Sequence, residues 1–159
     1  MSSDSQNSNI AQKNTRRDAR ELALRILYEV ELGHQPLKEV INAALEQSQL
    51  DTKNAAFARD LAEGAVSNRK EIDAKLSQLA IDWATERQAV VDRNILRLAA
   101  YEMLHRPDSP VAAVVNEAVE LAKKYSTAES GRFVNGVLGA LAREPRGGED
   151  TPMNETGAQ

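Results

Sequence analysis

Four basic side chains crowd the short segment "KNTRRDAR": Lys13, Arg16, Arg17 and Arg20. Guanidinium groups present a planar fork of donors that fits phosphate oxygens. Ala19, Leu22, Ala23, Ile26, Leu27 and Val30 recur at i, i+3, i+4 spacing, the mark of a helix with one apolar stripe. With that stripe turned to a core, Arg17, Arg20, Leu24 and Tyr28 fall on the flank and back of the helix. An exposed ring beside phosphate-binding cations gives a base a surface on which to stack. The chemistry such a patch could carry out is RNA binding. The competing reading is a solvated helix face whose arginines pair with glutamates one turn away. The helix dipole disfavours positive charge clustered at a helix N-terminus. These residues therefore need a reason beyond helix stability.

Two further segments carry information. "DRNILRLAAYEMLHR" is apolar almost all round, so its helix is central in a core or covered by a partner. Arg97 and Glu102 interrupt it, either as an ion pair with another helix or as interface positions. "SGRFVNGVLGAL" turns Val134, Val137, Leu138 and Leu141 inward, yet it holds Gly131, Gly136 and Gly139. Each glycine costs about 1 kcal/mol relative to alanine inside a helix. Arg132, Gly136 and Gly139 fall on its far face, with Phe133 at the flank. Bare backbone there lets another chain approach closely and leaves Phe133 open to a ligand; close helix packing within the domain is the alternative. The preceding helix has a stripe of Val114, Ala118, Leu121, Ala122 and Tyr125, with Lys123 and Lys124 at its C-terminal end.

Catalysis finds no support. There is no cysteine, and His34 and His105 stand apart from any nucleophile pattern. No metal, cofactor or catalytic residue is expected, and Glu117 and Glu120 read as solvated or capping charge. The net charge of -4 means that nucleic-acid binding must come from a local patch. No apolar run approaches the roughly 20 residues that cross a bilayer. The polar N-terminus lacks the apolar core of a secretory signal, so the expected setting is the reducing cytoplasm.

The elements that must position these residues are all helical. The spacing predicts helices over 15–32, 37–48, 53–67, 69–79, 86–105, 110–125 and 130–142, with glycine and proline between them as punctuation. In "RPDSP", Ser109 is the expected N-cap and Pro110 the first helical residue. The fold class is an all-α, compact bundle of about seven helices. One domain spans 15–142, with a disordered polar extension over 1–14 and a flexible tail over 143–159.

With these segments in view, the chain resembles the NusB family of transcription antitermination factors. The matching pieces are "RRDARELALRILYEVE", "FARDLAEGAV" with its following "ID", "DRNILRLAAYEM", "PVAAVVNEAVELAKKYS" and "FVNGVL", in the family's order. The resemblance implies two helical subbundles. It implies binding to boxA RNA of ribosomal RNA leader transcripts, together with NusE, a small-subunit ribosomal protein. That pair would nucleate a complex on RNA polymerase that resists premature, especially Rho-dependent, termination. The RNA-binding residues carried over are Arg16, Arg17, Arg20, Tyr28, Glu129 and Phe133, with Lys13 and Arg132 beside them. Asp92, with Arg93 and Arg97 after it, is placed at the NusE face. A homodimer could use the same apolar surface. The same helical domain resembles part of a ribosomal RNA cytosine methyltransferase family. Without a cysteine this chain is no such enzyme, which leaves an RNA-binding accessory domain acting in trans as the alternative.

Overall fold

A computed structural model describes residues 13–83 and 88–145. Among them are seven helices: α1 Arg16–Gly33, α2 Leu37–Gln47, α3 Thr52–Ser67, α4 Arg69–Leu79, α5 Val90–His105, α6 Val111–Tyr125 and α7 Ala128–Arg143. No strand occurs among the described residues. The expected disordered extension 1–14 and flexible tail 143–159 lie outside the described residues at 1–12 and 146–159; of the rest of the tail, Arg143 ends α7 and Glu144 accepts from Lys75 at 3.1 Å. Asn14, placed by the sequence in the disordered extension, instead belongs to the fold. Its Oδ1 accepts from the Asp51 backbone N–H at 2.9 Å and its Nδ2 donates to Asp51 Oδ2 at 3.1 Å.

The helix starts follow from short polar side chains. Thr15 opens α1 with a capping box: Asp18 N–H donates to Thr15 Oγ1 at 3.1 Å, and Thr15 N–H donates to Asp18 Oδ2 at 3.0 Å. Each bond satisfies a donor that the first helical turn leaves without an intrahelical partner. Thr15→Ala is expected to cost about 1 kcal/mol in denaturant unfolding, with the midpoint lowered and the slope unchanged. Asp51 and Thr127 cap α3 and α7 by the side-chain bond alone, accepting from the N–H of Asn54 at 2.8 Å and of Ser130 at 2.9 Å. Because Thr127 takes the cap, α7 begins before the expected residue 130. Pro110, not Ser109, is the residue that precedes α6, and Ser109 is buried with its N–H on Arg106 O at 3.0 Å.

The helices form two groups. One holds α1, α2 and α3; the other holds α4, α5, α6 and α7. Helix α5 joins them by packing on α1 and α3 as well as on its own group. It is buried on every side from Asn94 to Met103, which matches its nearly continuous apolar sequence. Its two charged interruptions are paired across helices. Arg97, 3% exposed, grips both oxygens of Asp73 on α4 at 2.9 and 3.1 Å. Glu102, 1% exposed, receives both donors of the Arg20 fork on α1 at 2.9 and 2.6 Å.

Candidate nucleic-acid interface

The basic end of α1 sorts into three kinds of arginine. Arg16 makes no ion pair among the described residues. Its Cζ lies 3.9 Å from the centroid of the Phe57 ring, where Arg20 and Arg106 also converge at 5.3 and 4.8 Å. Arg17 is the open one, with 61% of its side chain exposed. Its Nε and Nη2 donate to Glu117 of α6 at 3.0 and 2.7 Å. That bond holds the Glu117 carboxyl below its usual range and pushes the Arg17 guanidinium further up from its own. Arg20 does not sit on the solvent back of α1, where the helix angles placed it. Its guanidinium is turned into the interface with α5, because the buried Glu102 carboxylate needs a bidentate partner. Lys13 is exposed just ahead of the helix.

Leu24 was expected on the flank and is buried, so α1 covers a wider arc of core than its stripe indicated. Tyr28 remains exposed. Tyr125, expected in the buried stripe of α6, is exposed opposite it. The two rings, with Leu24, Leu32 and Val91, line an open groove of about 710 Å³ between α1, α5 and α6. Arg25 lines the same groove. Sequence reasoning missed it because it lies just beyond the run of arginines it had singled out. Lys124 on α6 donates to Glu21 on α1 at 2.8 Å and closes the seam between the two helices.

Helix α7 begins beside this groove. Ser130 Oγ donates to Asp92 Oδ2 at 2.8 Å, and Val91, next to Asp92, lines the groove. Glu129 and Arg132 are exposed; Phe133 is half-buried against the core. The three glycines divide. A Cβ on Gly131 would meet Lys123 Cγ at 3.0 Å, so this glycine serves close packing of α6 on α7. A Cβ on Gly136 would meet nothing within 4 Å, and on Gly139 only the tip of Arg143 at 3.7 Å. Packing within the domain therefore accounts for one of the three.

The expected partner-face residues are embedded rather than displayed. Asp92 is buried, and its Oδ1 has no hydrogen-bond partner among the described residues. Arg93 donates to Glu31 Oε2 at 2.5 Å and to the Gln88 carbonyl at 3.0 Å. Arg97 is in the core pair with Asp73, with Glu31 at 3.8 Å. For Arg97 this is the ion pair with another helix that its sequence allowed, and the carboxylates come from α1 and α4. No group of three or more His, Cys, Asp or Glu side chains among the described residues could hold a metal ion. None of the described helices is long and apolar enough to cross a membrane.

Comparison with known proteins gives one consistent result. The model of the NusB family matches residues 17–143. The transcription antitermination protein NusB of Heliobacterium modesticaldum is 48% identical over 143 residues, covering 89% of this chain and 69% of the relative. The corresponding protein of Symbiobacterium thermophilum is 45% identical, covering 84% and 92%. Among solved structures, T. maritima NusB superposes with a TM-score of 0.76 at 36% identity, covering 82% of this chain and 92% of that one. A chain from the crystal structure of antitermination factors NusB and NusE in complex with dsRNA gives 0.72 at 30% identity, covering 79% and 94%.

Proposed function

The chain belongs to the NusB family, and from that premise we propose that it is a cytoplasmic transcription antitermination factor. It binds boxA RNA of ribosomal RNA leader transcripts together with NusE and helps RNA polymerase resist premature, Rho-dependent termination. The observation that carries this reading is the end of α1, where the exposed Arg17 and the carboxylate-free Arg16 stand on the helix that also presents Tyr28. Lys13, Arg16 and Arg17 hold backbone phosphates. Tyr28, and Phe133 beyond it, offer rings to bases, with Glu129 and Arg132 available for polar contacts. Arg20 supports the patch from beneath through Glu102. The start of α5, around Asp92, Arg93 and Arg97, shapes the NusE face through its buried network rather than by direct presentation. The relatives are named as antitermination proteins, which favours this reading over an accessory domain for a methyltransferase.

The test is fluorescence anisotropy of labelled boxA RNA, with and without NusE, across a salt series. NusE is expected to tighten binding, and added salt to weaken it. Exchanging Arg16 and Arg17 together for alanine should abolish most RNA binding and leave NusE binding intact. It should flatten the salt slope by about 1.4, from about 0.7 for each of two lost single-strand phosphate contacts. Undiminished RNA binding by that double variant would remove α1 from the interface.

A further inference from the structure

The arginine that the fold leaves most open at the α1 end is also held edge-on by a carboxylate. Arg17 offers its Nε–Nη2 edge to Glu117, at 3.0 and 2.7 Å. A phosphate gripped side-on, through Nε and Nη2, competes for that same edge. The neighbouring Arg20–Glu102 pair cannot exchange in this way, because Glu102 is sealed in the core. The Arg17–Glu117 pair lies at the surface of the α1–α6 seam. Glu117 also has a second cation within reach, since its Oε1 lies 3.9 Å from Arg20 Nη1. A carboxylate set between two guanidiniums can release one and remain beside the other.

Resting on the RNA-binding reading above, we propose that Glu117 occupies the phosphate-binding edge of Arg17 and is displaced toward Arg20 when an RNA backbone arrives. Each phosphate contact at Arg17 then has to overcome an existing ion pair. Weak, non-specific contacts do so poorly. A chain fixed in place by base stacking and by NusE does so readily. Glu117 is thus a specificity-determining residue that restrains the arginine patch, although it touches no RNA in the free protein.

The test compares Glu117→Gln with Glu120→Gln, which removes an exposed carboxylate from the same helix that is paired with Lys123 instead. Binding is read by anisotropy, with NusE present, on boxA RNA and on a scrambled RNA of equal length. Glu117→Gln is expected to tighten scrambled-RNA binding about fivefold, as for release of an exposed ion pair, and boxA binding only about twofold, so that discrimination falls. Glu120→Gln should stay within about twofold. In an Arg17→Ala background the gain from Glu117→Gln should vanish. Glu117→Asp keeps the charge and withdraws the carboxylate, so a smaller gain of about twofold isolates the contact from the charge. If the wild-type protein binds boxA RNA and Glu117→Gln binds scrambled RNA no more tightly, or gains equally on both RNAs, Glu117 sets no specificity and the proposal is overturned. If the wild-type protein shows no salt-sensitive RNA binding, the functional reading itself fails and the proposal with it.

Discussion

Glu102→Ala is expected to lower folding stability by about 3–5 kcal/mol, the cost of leaving one member of a buried ion pair uncompensated. Glu102 is 1% exposed and receives both donor atoms of the Arg20 fork. Removing it strands the Arg20 guanidinium between α1 and α5 with only Glu117 nearby, at 3.9 Å. The measurement is chemical denaturation followed by circular dichroism. A loss under about 1 kcal/mol would show that Arg20 reaches water and that the pair is no structural element. The result also separates two roles that the sequence merged. Arg20→Ala should lose both stability and RNA affinity, the latter because the α1–α5 contact beneath the patch loosens. Arg17→Ala should lose RNA affinity and leave the melting transition where it was.

That merging shows where the sequence was readable. Helical periodicity and proline punctuation place all seven helices, since the same spacing that buries a stripe also closes the backbone hydrogen bonds. The long-range pairs were another matter. Arg20 looks like a surface cation on its own helix and becomes a core cation only because α5 brings Glu102 to it. Arg97 likewise finds Asp73, which lies on α4. Periodicity along one helix carries no information about which helix lies opposite. Tyr125 fails the other way: its spacing fits the stripe of α6, but it lies at the last turn, on the open groove that faces α1. Tyr28 was legible because its angle from the stripe exceeds what the neighbouring helices reach. Gly136, the exposed glycine of α7, leaves the question with the interface, because the fold has no steric need for it.

The glycine that the fold requires most strictly was not marked by its spacing. Gly64 sits within α3, where a change to alanine would by itself stabilise the helix by about 1 kcal/mol. The packing reverses that sign. A Cβ at Gly64 would stand 2.0 Å from Cζ of Tyr101, and 2.3 and 2.5 Å from Cε1 and Cε2. The ring cannot swing aside cheaply. Its hydroxyl donates to Asp60 Oδ1 at 2.9 Å, and its face stacks on His105 at 5.1 Å between centroids. Asp60 is itself held by Arg106 at 2.7 Å. Gly64→Ala is therefore expected to destabilise the protein by about 2–3 kcal/mol, the range of overpacking in a rigid site. The control is the same change in a Tyr101→Ala background, where space exists and the helix gain should return. Destabilisation by Gly64→Ala in both backgrounds would place the strain elsewhere. The same ring gives a pH signature. Burial, first, and the bond to Asp60 push the Tyr101 phenol from 10.0 to about 12. The folded state thus holds this proton more tightly than the unfolded chain. The contribution is complete below pH 10 and is lost as pH rises toward 12, and Tyr101→Phe should remove that alkaline dependence from the stability curve.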